Sequence, residues 1–290
     1  MPDATPQRSD FRLLDRMRVR WAEIDAQQIV FNGHYLMYFD TAVSAYWRAM
    51  AMPYASTMVA LGGDLYVRKA TVEYLGSACY DDLLDVGIRC QRIGNSSITL
   101  TAAVFRGAQW LVGGELVYVF ADVATQTSRP VPHLLRAAML AFEAGQSMVE
   151  VSVGGWAEFG AAASALRREV FVHEQAIPAE LEADPADADA VHAVATNRFG
   201  QVVATGRLLQ QAAGVMKLGR MAVSRSLRDQ GIGAKVLAAL VQAARERGGR
   251  EAMLQAQTAA VAFYQRAGFV ACGGEFVEAG IPHLEMRMPL

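Results

Sequence analysis

The spacing of hydrophobic positions in the first half of the chain predicts one long helix among extended segments. Apolar side chains recur every three or four residues from Tyr35 to Met50, and this is typical of an amphipathic helix that begins near Asn32 and ends before Pro53. The predicted extended segments are 12–21, 65–75, 83–93, 97–106 and 110–121, and a last helix is predicted over 133–144. A long helix followed by an antiparallel meander predicts an α+β fold.

The second half of the chain has a different order of patterns. Its predicted strands lie near 149–153, 190–197, 201–209, 215–223 and 251–257, with a final pair of strands before the end. Its predicted helices cover 160–175, a segment that ends at Arg247, and 258–267. The change of pattern near 145–149 predicts two domains, at 1–146 and 147–290.

Composition narrows the class of protein. The 290 residues are 53% hydrophobic and 19% charged, which is ample for buried cores, and the net charge of −2 argues against a protein that binds nucleic acid with its whole surface. The three cysteines (Cys79, Cys90 and Cys272) are far apart and odd in number. They therefore predict small buried apolar residues rather than a disulfide framework or a zinc site.

Targeting signals are not expected. The stretch 1–8 is polar and lacks the apolar region of a signal peptide, and no run of about 18 uncharged apolar residues predicts a membrane span. The cytoplasm is the default location.

A carboxylate lies shortly before the predicted start of the long helix. Asp25 precedes Asn32 and Gly33, and the unpaired N–H groups of a helix start can polarise a thioester carbonyl. A nearby carboxylate can attack such a carbonyl or activate a water. The alternative is structural, with Asp25 capping a turn and Glu23 solvated.

This segment resembles the acyl-CoA thioesterases of the 4-hydroxybenzoyl-CoA thioesterase type, which have the hotdog fold, a long helix wrapped by an antiparallel sheet. The matching residues are Trp21, Asp25, Ile29-Val30-Phe31 and Tyr35. The resemblance covers about 12–145 and implies that Asp25 is the catalytic nucleophile or general base. It also implies that a backbone N–H of Asn32 or Gly33 polarises the thioester carbonyl. Because active sites in this family form between two subunits, it implies at least a homodimer.

Two positions depart from the family pattern. Gln28 stands where the family usually has Gly, and Asn32 stands where this branch often has His, while His34 lies two residues later. These changes bear on the range of substrates. His34 is predicted either to assist the reaction or to serve as a surface or capping residue of the first helical turn.

A turn with two glycines joins a strand to a helix at 228–233. Glycines let backbone N–H groups approach an anion closely, and the dipole of the following helix favours phosphate. Basic side chains lie within and before the turn, without an intervening acid: Lys217, Arg220, Arg225 and Arg228. The alternative is a solvated basic turn.

The turn resembles the R-x-x-G-x-G/A signature of the GNAT N-acetyltransferases, an α/β fold with a mixed central sheet, and the resemblance covers about 149–290. It implies that the turn binds the pyrophosphate of acetyl-CoA and that the preceding strand binds the pantetheine arm. The residues so assigned are Met221, Ala222, Val223, Arg228, Asp229, Gln230, Gly231, Ile232, Gly233 and Ala234.

Residues 260–269 are similar to the F-Y-x-x-x-G-F signature of the same family. Tyr264 stands where many of these enzymes have the Tyr that protonates the departing CoA thiolate, a step that needs a nearby O–H donor. Gln257 replaces an Asn often found seven residues earlier. The alternative for Tyr264 is an aromatic residue packed on the core.

The acceptor of the acetyl group is expected to be an amine. The stretch 174–189 holds six acidic residues and no basic one, which favours a cationic acceptor such as a polyamine or a Lys side chain. The alternative is a solvated loop. The general base is left open: Glu174, His173 and His192 are equal candidates, and water alone is the further alternative.

Together these features predict a bifunctional CoA-dependent enzyme that hydrolyses an acyl-CoA thioester and transfers acetyl from acetyl-CoA to an amine. Acyl-CoA and acetyl-CoA are its expected substrates, with no prosthetic group, no metal and no nucleic-acid partner. The alternative is that only one domain is catalytic and the other senses acyl-CoA or forms oligomers.

Overall fold

The computed structural model describes residues 5–290 and divides the chain into two compact units, Met1–Met148 and Val149–Leu290. Residues 1–4 lie outside the described residues. They belong to the polar stretch 1–8, for which no signal peptide is predicted. In the described part, no helix has both the length and the apolar character needed to span a membrane.

The first unit is a five-stranded antiparallel sheet in the order β1-β3-β4-β5-β2 with three helices. Its strands are β1 (Leu13–Arg18), β2 (Asp64–Tyr74), β3 (Leu83–Ile93), β4 (Ser97–Arg106) and β5 (Gln109–Ala121). Its helices are α1 (His34–Ala49), α2 (Tyr54–Leu61) and α3 (His133–Glu143).

Helix α1 buries one face against the sheet. Its apolar positions recur with helical period, and Tyr35, Phe39 and Tyr46 are at most 2% exposed. The ring of Phe39 lies where a side chain on Gly114 of β5 would lie, so this glycine lets helix and sheet approach closely. The predicted long helix wrapped by an antiparallel sheet is confirmed. It begins at His34, and its N-cap is Gly33, one of the two N-cap positions, Asn32 and Gly33, that the sequence predicts.

Two details of the first unit differ from the sequence prediction. The strand predicted over 12–21 ends at Arg18, because Trp21 opens a short 3-10 turn that ends at Glu23. Helix α2 was not predicted. Pro53, interpreted only as the end of the long helix, is the residue that precedes this second helix, where its fixed φ is compatible with a helix start.

The second unit is a seven-stranded mixed sheet in the order β11-β12-β10-β9-β8-β7-β6. Its strands are β6 (Val149–Gly154), β7 (Val191–Asn197), β8 (Val202–Ala212), β9 (Val215–Val223), β10 (Glu251–Gln257), β11 (Val270–Glu278) and β12 (Ile281–Pro289). Its helices are α4 (Trp156–Arg167), a π-helical segment (Arg168–Glu174), α5 (Ala179–Glu182), α6 (Ile232–Glu246) and α7 (Val261–Arg266).

Strands β9 and β10 separate towards their carboxyl ends. They pair in parallel only between 215–217 and 251–253, whereas β9 stays paired with β8 and β10 with β12 further along. The sheet therefore opens between 218–223 and 254–257. The two motifs of the second half of the chain follow directly after these two strand segments, so both lie at this opening.

The cysteines are free thiols but are not all buried. Cys79 is exposed, and Cys90 and Cys272 are half-buried. The prediction of small buried residues is therefore wrong for Cys79, which lies in the loop before β3. Its carbonyl accepts from the N–H of Asp82, and its N–H donates to the Asp82 carboxylate, so the two residues shape a turn.

Candidate active sites

Asp25 both caps a turn and presents a carboxylate oxygen. Its Oδ1 accepts a hydrogen bond of 2.8 Å from the N–H of Gln27, and its backbone C=O accepts one from Gln28. Among residues 5–290, no group donates to Oδ2, and the residue is partly exposed. The structural alternative is thus confirmed for Asp25, and it leaves one oxygen available for chemistry.

The backbone explains the glycine that the thioesterase pattern has at position 28. Gln28 has a φ of +63°, in the left-handed region that a side chain disfavours. The turn needs this conformation because the antiparallel bridge between Ile24 and Val30 closes it. The presence of Gln rather than Gly at position 28 therefore adds strain to the turn and leaves its shape the same.

Replacing Gln28 with Gly is expected to raise the free energy of unfolding of the first unit by about 0.5–1 kcal/mol. Relief of left-handed strain, about 1–2 kcal/mol, exceeds the extra backbone entropy of glycine, about 0.5–1 kcal/mol. Urea unfolding measures the change, and the neighbouring Gln27→Gly, without a positive φ to relieve, should lower stability. Equal changes in the two variants would contradict the assignment of strain.

Glu23 is buried, so its prediction as a solvated residue is wrong. It is 3% exposed and accepts hydrogen bonds of 2.8 Å from the N–H of Arg20, 2.7 Å from the Arg20 Nε and 2.7 Å from the Tyr38 hydroxyl. Burial works to raise the pKa of Glu23, but these hydrogen bonds outweigh it and hold that pKa below its usual value. Because Tyr38 belongs to α1, Glu23 fixes the Asp25 turn against the helix.

The start of α1 has N–H groups to offer. Gly33 precedes the first helical residue, and no side chain caps this end. The carbonyl of Asn32 is held by the Tyr74 hydroxyl at 3.1 Å, while the described chain provides no acceptor for the N–H groups of Asn32 and Gly33. A helix start of this kind suits a developing oxyanion, which agrees with the role predicted for these two residues.

His34 does not cap the helix. Its backbone N–H donates to the Phe31 carbonyl at 2.9 Å, and its ring lies edge-on to the Phe31 ring with centroids 6.0 Å apart. The alternative of a capping residue is therefore wrong, since Gly33 occupies the cap position, whereas the predicted place of His34 on the first helical turn is confirmed. His34 is half-buried beside the helix start, so the assisting role stays a prediction.

The glycine turn of the second unit has the backbone form expected of an anion site. Asp229 and Gly231 have φ values of +65° and +73°, and Gly231 precedes α6 without a side-chain cap. The N–H groups of Ile232, Gly233 and Ala234 lie in the first turn, before the bond from Lys235 to Gly231 at 3.3 Å. Gly233 packs on β9, since a Cβ there would lie 3.2 Å from Val223.

Arg228 is held by an acid from another element. Its guanidinium donates two hydrogen bonds, of 2.6 and 2.7 Å, to the carboxylate of Glu174 at the end of the π-helical segment. Arg225 is exposed and has no ion pair in the described chain. Of the four basic residues, only Arg225 is thus exposed and without an ion pair or side-chain hydrogen bond in residues 5–290, so the turn does not carry a free cluster of four cations.

The other two basic side chains also have partners. Arg220 is half-buried, has a strained φ of +50°, donates to the Leu181 carbonyl at 3.1 Å and lies 3.6 Å from Asp184. Lys217 donates to Gln255 across the two strands at 2.8 Å. The alternative of a solvated basic turn is therefore wrong for these residues.

The strand segment predicted to bind pantetheine has one free edge. Ala222 and Val223 pair with β8, and so does Gly219. Between these paired positions β9 bulges, with two residues opposite Gly206 alone. On the other side, β10 has already diverged, so the second edge of Met221, Ala222 and Val223 borders the opening. An extended ligand can add to such an edge through main-chain hydrogen bonds.

Tyr264 is a core aromatic with an available hydroxyl. It is 8% exposed and packs edge-on to Phe263 and Phe269, with centroids 4.9 and 6.1 Å away. Burial raises the pKa of Tyr264 to about 12, so the hydroxyl is protonated near neutral pH. No group of residues 5–290 accepts from this hydroxyl, and it is not a fully buried atom. The core-packing alternative is confirmed, and it is compatible with proton donation.

The acidic stretch 174–189 is mostly engaged within the protein. Glu182 and Asp187 are buried and both accept from Arg167, at 2.5 and 2.8 Å, while Arg207 donates to Asp184 and Asp187 at 2.7 Å. The solvated-loop alternative is thus wrong for these carboxylates. Because these carboxylates are already paired with arginines, they contribute little attraction for a cationic acceptor.

Two of the three candidate general bases are poorly suited to the role. The hydrogen bonds from Arg228 hold the pKa of Glu174 below its usual value. His192 is 1% exposed, its Nε2 bonds to the Asp187 carbonyl at 2.9 Å, and burial lowers its pKa. His173 is exposed and makes no hydrogen bond in the described chain.

Comparisons with known proteins agree with both units. The family described as "Acetyltransferase (GNAT) domain" matches 149–290, and "Thioesterase superfamily" matches 27–111. YjcF, an uncharacterized N-acetyltransferase of Bacillus subtilis, is 41% identical over 122 residues, which cover 42% of this chain and 86% of that protein. A protein of Aquifex aeolicus named only as a candidate esterase is 32% identical over 91 residues, 31% of this chain and 70% of that protein.

Among solved structures, an acyl-CoA N-acyltransferase from Pseudomonas aeruginosa is 34% identical, with a TM-score of 0.44. The match covers 48% of this chain and 98% of that one. The chain therefore belongs to two families: its second unit to the GNAT acetyltransferases and its first to the thioesterase superfamily.

Proposed function

We propose that the protein is a bifunctional enzyme, in which the first unit hydrolyses an acyl-CoA thioester and the second transfers acetyl from acetyl-CoA to an amine. The observation that carries the proposal is that each unit presents a helix start without a side-chain cap, at Gly33 and at Gly231, within the segment that resembles its family's motif. Both substrates share coenzyme A, and neither reaction requires a metal or a prosthetic group.

In the first unit, the N–H of Asn32 or Gly33 polarises the thioester carbonyl. The free oxygen of Asp25 either attacks that carbonyl or takes a proton from a water that attacks it, and the thiolate leaves. In the first case the acyl group is left on Asp25 as an anhydride, which a water then cleaves to release the acid and restore the carboxylate. Glu23 and Tyr38 support this geometry by fixing the turn. The reaction is expected in a homodimer, the arrangement in which this family forms its active sites.

In the second unit, N–H groups of residues 231–234 bind the pyrophosphate and the free edge of Met221–Val223 binds the pantetheine arm. The neutral hydroxyl of Tyr264 gives its proton to the departing thiolate. Asp229 and Gln230 shape the turn, and Arg228 adds positive charge when Glu174 releases it.

The test follows thiol release by the full chain from acetyl-CoA and longer or aromatic acyl-CoAs, alone and with spermidine, benzylamine or a Lys-containing peptide. Hydrolysis without amine supports the first activity, and acetylated amine supports the second. Tight CoA binding without turnover would instead support the alternative that one unit is a sensor or an oligomerisation module.

Replacing Tyr264 with Phe is expected to lower kcat for acetyl transfer about 10- to 100-fold, with the KM for acetyl-CoA nearly unchanged. The hydroxyl acts only as the C–S bond breaks, so its loss affects the transition state rather than substrate binding. Steady-state thiol release measures both constants, and Tyr80→Phe, an exposed site in the other unit, is the control. Unchanged kcat in Tyr264→Phe would contradict the assigned role.

A further inference from the structure

His283 lies on β12, across β10 from the opening between β9 and β10, at the level where β10 ends. It is the third residue of β12 and pairs across strands with Gln257, the last residue of β10. On its other side it pairs with Phe276 of β11, whose ring stacks on the imidazole with centroids 5.9 Å apart. The imidazole is thus held in place at the carboxyl end of β10.

The side chain of His283 shares a face of the sheet with a residue that contacts the loop after the π-helical segment. Paired residues of antiparallel strands point to the same face of a sheet, so His283 shares a face with Gln257. The Gln257 amide exchanges hydrogen bonds with Gln175, the residue after the π-helical segment, the shorter at 3.0 Å. The imidazole and the two amides therefore lie on the same face of the sheet, at the carboxyl end of β10.

One hydrogen bond fixes the tautomer of His283. Its Nδ1 lies 2.8 Å from the backbone carbonyl of Ile281, which can only accept, so Nδ1 carries the hydrogen. In the neutral ring, the lone pair is then on Nε2. No group in residues 5–290 donates to Nε2, and this atom is not buried.

The environment of the His283 imidazole differs from that of the three candidate bases predicted from the sequence. His192 has its lone pair on a fully buried nitrogen, Glu174 is paired with Arg228, and His173 has no partner that orients it. His283 combines an orienting hydrogen bond, a stacked ring and an accessible lone pair, which are the features of a positioned base.

We propose that His283 is the general base of acetyl transfer and accepts the proton of the attacking amine at Nε2. The inference rests on the proposed acetyltransferase activity and adds the group that it lacked. The amine N–H bond breaks towards Nε2 while the C–N bond to the acetyl carbon forms. The C–S bond then breaks, and the thiolate takes the proton of the Tyr264 hydroxyl. Proton exchange with solvent restores both side chains.

The test uses His283→Asn in the full chain, because the Asn amide can still donate to the Ile281 carbonyl but provides no base at the Nε2 position. With the best amine among spermidine, benzylamine and the Lys-containing peptide, kcat/KM at pH 7 should fall about 100-fold. The Kd for CoA and the thermal unfolding midpoint should stay unchanged.

A pH–rate profile separates catalysis from structure. A residue that accepts a proton in the transition state imposes a pH dependence on kcat/KM, and this dependence should be present in the wild type and lost in His283→Asn. Charged groups on the same face of the hairpin are Glu278, Glu285 and Arg287, and Glu285 already pairs with Arg287. If the ratio of wild-type to His283→Asn kcat/KM becomes smaller at pH 9, where more of the amine is unprotonated, this supports the assignment.

Several results would overturn the assignment. A His283→Asn variant within threefold of wild type would do so, as would an equal loss of CoA affinity or a larger loss in His173→Asn. If the wild type acetylates none of the three amines, the proposed function fails and this inference fails with it. Turnover by the wild type with a fully active His283→Asn variant rejects the inference alone.

Discussion

Hydrolysis of acyl-CoA by the Asp25→Asn variant is expected to fall by about 10²- to 10⁴-fold in kcat, the usual contribution of a positioned base or nucleophile. The amide oxygen of Asn can still accept the hydrogen bond from Gln27 that closes the turn. The change therefore removes the reactive oxygen and leaves the local backbone in place, so the free energy of unfolding should change by less than about 0.5 kcal/mol.

The measurement is thiol release from the acyl-CoA that the wild type hydrolyses fastest, together with urea unfolding of both proteins. Asp40→Asn provides a matched control, because Asp40 is an exposed carboxylate on α1 and undergoes the same change of charge. Acetyl transfer by the second unit provides an internal control of folding. Hydrolysis that survives in Asp25→Asn would show that another group attacks or activates water.

The sequence predicted the regular elements well because they depend on local patterns. Tyr35, Phe39 and Tyr46 recur at helical spacing, and this spacing alone determines which face of α1 is buried. Helix α2 was missed for the converse reason: between Tyr54 and Leu61 the residues are nearly all apolar or small, so no polar face reveals the helical period.

The sites were predicted only in part, because tertiary contacts decide which charges are free. Glu23 and Asp25 are two acids in one short segment, and no local pattern indicates that Glu23 is buried under Tyr38 while Asp25 is partly exposed. The basic residues within and before the glycine turn likewise do not indicate that Arg228 is paired with Glu174, which lies far away in the sequence. His283 lies 26 residues after Gln257, and only the pairing of β10 with β12 brings them together.

The two units share one structural feature, a helix start without a side-chain cap. In each, a helix starts without a side-chain cap, at Gly33 and at Gly231, so backbone N–H groups are offered to the negative charge of a ligand. Such sites need no surplus of basic side chains, which accounts for a net charge of −2 in a protein proposed to bind an anionic molecule twice.

The acidic stretch 174–189 of the second unit is mainly structural, because its buried carboxylates pair with Arg167. Removing Arg167 should therefore be strongly destabilising. The Arg167 side chain is 1% exposed, donates to Glu182 and Asp187, and lies over the Trp156 ring at 5.6 Å. Arg167→Ala leaves buried carboxylates without this partner. The free energy of unfolding of the second unit should fall by about 3–5 kcal/mol, as is usual when one partner of a buried ion pair is removed.

The matched control is Arg287→Ala. Arg287 is 39% exposed and pairs with Glu251 and Glu285, so its loss should cost about 1 kcal/mol or less. Hydrogen exchange of the full chain, followed by mass spectrometry, measures peptides of 149–290 separately from those of the first unit. A loss in Arg167→Ala as small as in Arg287→Ala would show that the Arg167 network adds little to stability.

Acid should weaken the same network in the wild type. Burial works to raise the pKa of Asp187, but hydrogen bonds from Arg167 and Arg207 outweigh it and hold that pKa below its usual value. A carboxyl with a lowered folded-state pKa stabilises the protein above about pH 4, the ordinary aspartate value, and this contribution is lost as the pH falls through the lowered value. In Arg167→Ala the pKa is less depressed, so stability should depend less steeply on pH below about 4. An unchanged acid dependence would mean that Arg207 alone holds the Asp187 carboxylate ionised.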